Sequence, residues 1–344
     1  MSNSASFTPD RILGLGFGFF AAKAVITAID FDLFSLLACK PLTATALRAV
    51  LQLRAERGSL DFFDGLVSLR LLERIGDGPE ALYRPSAEAD RYLNRASEHY
   101  IGGALIMAGN RLYGFWDHLG EALRSGEAQS EAKQHKRPLF DEIFSNPAKL
   151  REFAAAMSGL SRHNFTAFSA KFPFQNYRRH VDCGCSTGLL SKLVAERYPH
   201  LQCVAFDLPQ VAEIAREHIA SWGLAGRIEV AGGSFLSDPL PKGDLITMGQ
   251  ILHDWNLQDK KRIVKAAYDA LEPGGAFVVM ENLIDDPRCD NTFGFMMSLN
   301  MLVEFGEAFD YTFAEFQSWG REAGFKRFEL ISVHGPCSAA VAHK

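Results

Sequence analysis

The stretch that decides the fold is HVDCGCSTGLLSKLV, residues 180–194. An apolar approach ends in Asp182, small residues fill 183–188, and helical spacing follows. This is the pattern of a strand, a tight turn and a helix. Gly184 and Gly188 let another molecule approach the backbone, and the helix that opens there supplies free N–H donors. Cys183 and Cys185 leave two readings: a metal or redox site, or small residues that keep a ligand turn narrow. The nicotinamide fingerprint G-x-G-x-x-G is absent, since the glycines are spaced Gly184-Cys185-Ser186-Thr187-Gly188.

Outward from this turn the texture is regular. The apolar runs RRHVDC, LQCVAFD, RIEVAGG, DLITMGQIL and GGAFVVMEN read as strands, and helical patterns at 188–197, 210–222 and 257–272 separate the main ones. Alternating strands and helices predict a parallel sheet covered on both faces. FKRFELISV and SAAVAHK add a terminal hairpin-like pair. The second strand ends at Asp207, 25 residues after Asp182. A carboxylate at that edge can accept both ribose hydroxyls, so turn and acid together predict an adenosine-containing ligand. Residues 8–175 read as mostly helical, which divides the chain into 1–175 and 176–344, with the change near 171–178. Two helices and a short wing suggest a winged-helix-like subdomain near 41–95. Its eight arginines face eight acids, and a surface without surplus positive charge does not hold phosphates.

Composition narrows the class further. The chain has 344 residues, 47% of them hydrophobic and 22% charged, and a net charge of −5. That is a folded protein without the basic surplus of a nucleic-acid or anionic-membrane partner. The six cysteines are scattered without zinc spacing, as expected for free thiols in a reducing, cytoplasmic setting. ILGLGFGFFAAKAVITAIDFDLFSLLA is apolar but broken by Lys23, Asp30 and Asp32. Its uncharged runs look too short to span a bilayer, and no basic segment precedes it as in a secretory signal. A buried or subunit-facing helix is the preferred reading.

Beyond these patterns, the chain resembles the S-adenosylmethionine-dependent small-molecule O-methyltransferases of the plant caffeate, acetylserotonin and bacterial antibiotic-pathway type. VDCGCSTG resembles that family's V-D-x-G-G-G-x-G loop, and AFDLPQV its D-L-P segment. ILHDWNLQDKKRIVKAAYDALEPGGAFVVMEN resembles its L-H-D-W…A-L-x-P-G-G…V-x-E stretch, the most specific of the signals. AMSGLS and MSLNML also resemble family segments. The resemblance implies a class I Rossmann-like sheet preceded by a mainly helical, winged-helix-like dimerisation domain, and a homodimer without nucleic-acid or membrane partners. It implies S-adenosyl-L-methionine as cofactor, with Gly184 at its methionine moiety, Asp207 on the ribose and Leu208 beside the adenine. Ser234 and Phe235 stand where the family has Asp-Met, and Gly249 where plant members often place a lysine. Phe235 can still stack on the base.

Methyl transfer to a hydroxyl requires alignment and removal of a proton. The resemblance makes His253 the base, with Glu281 expected to accept one imidazole N–H. Asp310 takes the place of a second family carboxylate, and Tyr311 that of an arginine. Acceptor candidates are Met107, Trp116, Phe153, Met157, Asn300 and Met301, with Arg111 and His163 for a carboxylate-bearing acceptor. The altered 304–312 segment leaves S-methylation of a thioether, C-methylation and an inactive cofactor-binding regulator as alternatives. No metal is expected.

Overall fold

The computed structural model describes residues 7–131, 133, 144 and 146–344. They form two compact units, 1–110 and 111–344. In the first, helices Asp10–Gly16 and Gly18–Asp30 meet at Phe17 and lead into Leu33–Cys39. Strand β1 (Leu42–Thr43), helices Ala44–Val50 and Glu56–Ser68, β2 (Leu72–Ile75) and β3 (Leu82–Pro85) follow, and the small sheet runs β1-β3-β2. Ile29, Leu33, Phe34, Phe63, Leu66 and Tyr83 fill its core. Each comes from the apolar face that the sequence periodicity marks.

The second unit is built on a seven-stranded sheet. Its strands are β4 (Arg179–Cys183), β5 (Gln202–Asp207), β6 (Ile228–Gly232), β7 (Gly243–Gly249), β8 (Leu271–Glu281), β9 (Arg327–His334) and β10 (Cys337–His343), in the order β6-β5-β4-β7-β8-β10-β9. The pairs from β6 to β8 are parallel; β10 runs antiparallel to β8 and β9. Side chains of β8 alternate between two cores: Phe277 and Val279 in one, Ala276, Val278 and Met280 in the other. Both faces are buried, which is why these strands read as continuous apolar runs. The chain steps outward from β4 to β6 and returns to β7, so the order reverses beside β4. That reversal opens a crevice at the C-terminal strand ends.

Two expectations change here. Helix Pro147–Lys171 belongs to the sheet's own unit: Phe168 and Phe172 join the core under β5 and β8, and Leu150 and Ala154 pack on Val211 and Ile214. The line at 175 marks the passage from helix to strand, but packing divides the chain earlier. Second, Asp10–Asp30 is long and apolar enough to cross a membrane by length and composition. Between Arg11 and Asp30 only Lys23 interrupts the run, less than the sequence reading supposed.

Candidate active site

Five strand ends deliver the candidate residues to one edge of the sheet. β4 leads into the turn 184–188. Gly184 has φ +73°, and a Cβ there would lie 2.4 Å from Cδ1 of Ile251. Only glycine satisfies both conditions. The Gly184 N–H donates to the carbonyl of Phe206 at 2.9 Å, fastening the turn to β5. Ser186 also has positive φ, +52°. Its N–H donates to Oδ2 of Asp207 at 2.8 Å, while the Leu208 N–H donates to Oδ1 at 2.8 Å. Each Asp207 oxygen therefore keeps a lone pair for a further donor. Burial raises the Asp207 carboxyl to about 6, against the two backbone N–H groups that favour its charge. Thr187 shares a 2.7 Å hydrogen bond with Ser158 of the long helix. A narrow glycine cradle beside a nearly buried carboxylate fits an adenosyl cofactor.

The cysteine question is settled by packing. Cys183 lies in one core and Cys185 and Cys203 in the other. Burial pushes the Cys183 and Cys185 thiols well up and that of Cys203 to about 12, so they remain protonated. They are small apolar fillers rather than metal ligands.

Ser234 begins the turn after β6, its N–H donating to Asp238 at 2.8 Å. Phe235 meets Trp255 edge to face, centroids 5.6 Å apart. At Gly249 a Cβ would come within 2.6 Å of the Phe165 ring. The long helix thus occupies the space that a side chain there would need.

Past β7 the chain turns through a short 3₁₀ segment, Leu252–Asp254, that carries His253. The imidazole is buried. Its Nδ1 lies 3.5 Å from Oδ2 and 3.4 Å from Oδ1 of Asp310, and its Nε2 lies 3.4 Å from Oδ1 of Asp254. Glu281 was expected to accept an imidazole N–H. Its Oε1 instead receives the backbone N–H groups of Ile251 at 3.2 Å and Leu252 at 2.8 Å. The carboxylates divide the work by reach: Glu281, at the end of β8, braces the turn's backbone, and Asp310 faces the ring. Burial lowers the proton affinity of His253, but the charges of Glu281, Asp254 and Asp310 outweigh it and raise the imidazole to about 10. Burial lifts Asp254 to about 7 and pushes Glu281 up as well. Ligand atoms of His253, Glu281 and Asp310 lie within 4.8 Å of one another, close enough for a divalent ion to draw in. The neighbouring Lys260 ammonium already brings positive charge there, which favours proton chemistry.

The acceptor candidates are distributed. Trp116 donates Nε1–H to Oδ1 of Asn300 at 2.9 Å, and Asn300 donates to Oε2 of Glu304 at 2.7 Å. Arg111 grips both oxygens of Glu131 at 2.8 and 3.0 Å and reaches Glu304 at 3.3 Å. Its charge is already matched, so Arg111 is a wall of this network rather than a free anion receptor. His163 is exposed, with its ring 4.1 Å from that of His334 on β9. Phe153 and Met157 lie on the long helix, half-buried; Met301 is buried on helix Thr292–Phe305. Met107 belongs to the first unit, at the end of helix Gly102–Met107. Tyr311, in the place of an arginine, is buried against Trp319 at 5.0 Å.

Sequence reasoning assigned no role to Asp254, Glu304 or Lys260. Asp254 stood inside the His-Asp-Trp motif itself. Lys260 lay in QDKKR, which reads as a solvated charge run.

Residues 116–326 match the family model of the O-methyltransferase domain. The chain belongs to the O-methyltransferase family. It is 36% identical to the tetracenomycin polyketide synthesis 8-O-methyl transferase TcmO of Streptomyces glaucescens, over 98% of this chain and 97% of that one. It is 32% identical to the N,N-dimethyltransferase OxyT of Streptomyces rimosus, over 92% and 90%. Human N-acetylserotonin methyltransferase, solved with S-adenosylmethionine, superposes with a TM-score of 0.90 at 27% identity, covering 100% of this chain and 99% of that one. The family member described here is an S-adenosylmethionine-dependent methyltransferase of small molecules, with a Rossmann-like sheet that follows an N-terminal helical domain in sequence.

Proposed function

We propose that the accepting atom is a hydroxyl oxygen on a small aromatic molecule and that His253 removes its proton. The observation that carries this is the buried imidazole between Asp310 and Asp254 at the ligand edge of the sheet. The likeness to TcmO, an 8-O-methyl transferase of polyketide synthesis, supports oxygen as the accepting atom.

Gly184 and its turn would hold the methionine portion of S-adenosylmethionine, Asp207 the ribose, and Leu208, Ser234 and Phe235 the adenine side. When bound, that cofactor supplies an electrophilic methyl carbon and a positive charge. Asp310 fixes the imidazole through Nδ1, which leaves Nε2 to receive a proton, and Asp254 faces that nitrogen. A positive charge nearby favours the neutral ring, the form that can act as base. Asp310 and Asp254 then stabilise the imidazolium that forms. Glu281 keeps the turn in register through Ile251 and Leu252. Trp116, Asn300 and Met301 offer an aromatic, amide and thioether lining, with Phe153 and Met157 as further contributors.

His253→Ala should keep cofactor affinity, read by titration calorimetry, and lose transfer to phenols by about 10²–10⁴-fold. Near-wild-type turnover would remove the base. Product masses from phenols, amines and thioethers then identify the accepting atom; OxyT's name makes the amine arm the informative one.

The reading extends to the assembly. The N-terminal helices expose Ile12, Leu15, Phe17 and Phe20, an apolar face suited to a second copy of the chain. Six free thiols support a reducing, cytoplasmic compartment. In the winged-helix-like segment Arg48, Arg57, Arg74 and Arg84 pair with Glu56, Asp61, Asp64 and Glu73, which supports an assembly without nucleic acid.

A further inference from the structure

Lys260 lies in the first turn of helix Leu257–Ala270, and its residue is 0% exposed. A buried ammonium is costly unless its donors are met. Here they are met by the turn that carries His253: Nζ donates to the carbonyl of His253 at 3.4 Å and, closely, to that of Trp255. The ammonium also sits 3.9 Å from the centre of the Phe309 ring and 5.8 Å from that of Tyr311. Phe309 and Tyr311 flank Asp310. One cation therefore touches both segments that define the His253–Asp310 pair.

The opposite side of the turn is held by Glu281 through the N–H groups of Ile251 and Leu252. The 3₁₀ segment is thus gripped at its donors by a carboxylate and at its acceptors by an ammonium. Both gripping groups are charged and buried, and each offsets the other's field.

We propose that Lys260 is a positioning residue for catalysis: its ammonium clamps the carbonyl side of the His253 turn and supplies positive charge that opposes the hold of the surrounding carboxylates on the imidazole proton. The groups that face it are His253 and Asp254 from the turn, Glu281 from β8, Asp310 and Tyr311 from the segment after helix Thr292–Phe305, and Glu315 from helix Phe313–Ala323. Burial lowers the ammonium to about 8 in spite of those acids. Removing a positive charge from such a cluster raises every apparent pKa within it, because each proton is then held against one cation fewer. The clamp and the charge separate in experiment. A lost clamp lowers turnover at all pH values; a lost charge moves the acid limb.

This inference rests on His253 being the base, so its test includes a reading independent of turnover. In Lys260→Met, kcat/KM should fall roughly tenfold at pH 7.5, where the wild-type ammonium still carries its charge. The rate should recover as pH rises, and cofactor affinity by calorimetry should stay within about twofold. A uniform loss across pH would reduce Lys260 to a purely structural role. In parallel, the His253 ring is followed by carbon NMR, its resonance assigned by its disappearance in His253→Ala. In the wild type it should register a step near pH 8 as the ammonium titrates, and that step should vanish in Lys260→Gln; a step that persists overturns the charge effect. Should neither variant fold, the wild-type protein decides. The Lys260 side-chain resonance should titrate near pH 8, and the His253 resonance should register the same step. A lysine titrating at its ordinary value, without a response at His253, overturns the proposal. If His253→Ala stays active while Lys260→Gln still abolishes that step, the base reading fails and the Lys260 coupling stands.

Discussion

At the scale of single residues, His253 links chemistry to stability with opposite signs. Its imidazole is raised from 6.5 to about 10, because three acids outweigh the cost of burial. A base must be neutral, and the neutral fraction grows as pH rises towards that value. We expect kcat/KM for the methyl donor, which reports groups of the free enzyme, to climb through pH 7–9 with hydroxyl acceptors. The same raised affinity stabilises the folded state fully below pH 6.5, and that contribution is lost as pH rises through about 10. Thermal denaturation at matched pH should therefore decline where activity increases. A flat rate profile with constant melting temperature would show that the acids do not act on His253 as described. The sequence places His253 and Asp207 after strand-like runs at the ligand edge, and the family resemblance supplies the roles proposed for them. It could not divide labour between Glu281 and Asp310, since which carboxylate reaches the ring depends on the turn after β7. Lys260 was hidden for another reason: a lysine among charges looks solvated, and only tertiary packing closes over it.

At the scale of elements, the loop bearing Asp310 is held by the helix that follows it. Thr312 caps Phe313–Ala323 in a reciprocal box: its hydroxyl accepts from Glu315 N–H at 3.1 Å, and Glu315 accepts from Thr312 N–H at 2.8 Å. The N–H of Ile284, just beyond β8, reaches the carbonyl of Tyr311 at 3.0 Å. Cap and bridge together fix the segment that places Asp310 against His253. Thr312→Ala should cost about 1 kcal/mol of stability, the usual value of a cap. It should also lower kcat by several-fold with cofactor affinity unchanged, because the Asp207 side of the site lies on other elements. Denaturant unfolding and calorimetry measure the two; a loss of cofactor binding would mean that the capped segment supports the donor instead. Strands and helices of the second unit were readable from period and turn chemistry. Helix Pro147–Lys171 was readable as a helix but not as part of the sheet's core. Its apolar positions are served by several surfaces along its length, so no single stripe announces its partner.

At the scale of the whole molecule, the apolar N-terminal helices demand an occupant. Ile12 and Leu15 are 70% and 71% exposed, and Phe17 and Phe20 more than half. Exposed apolar residues gathered along one segment mark an interaction surface. Two occupants suit its chemistry: a second copy of this chain, or a lipid bilayer, since Asp10–Asp30 is also long enough to span one. The residue pattern favours the first. Asp30 and Asp32 close the segment with acids, and Arg11 and Lys23 are the only cations between 7 and 39, without the basic cluster that an anionic surface would recruit. Sedimentation at micromolar concentration should therefore give a dimer. The pair Ile12→Glu with Leu15→Glu should weaken it at least tenfold, because each buries a charge in an apolar contact. Vesicle flotation of the wild-type chain supplies the contrast: a wild-type monomer that floats with lipid would transfer the face to a membrane and remove the dimer.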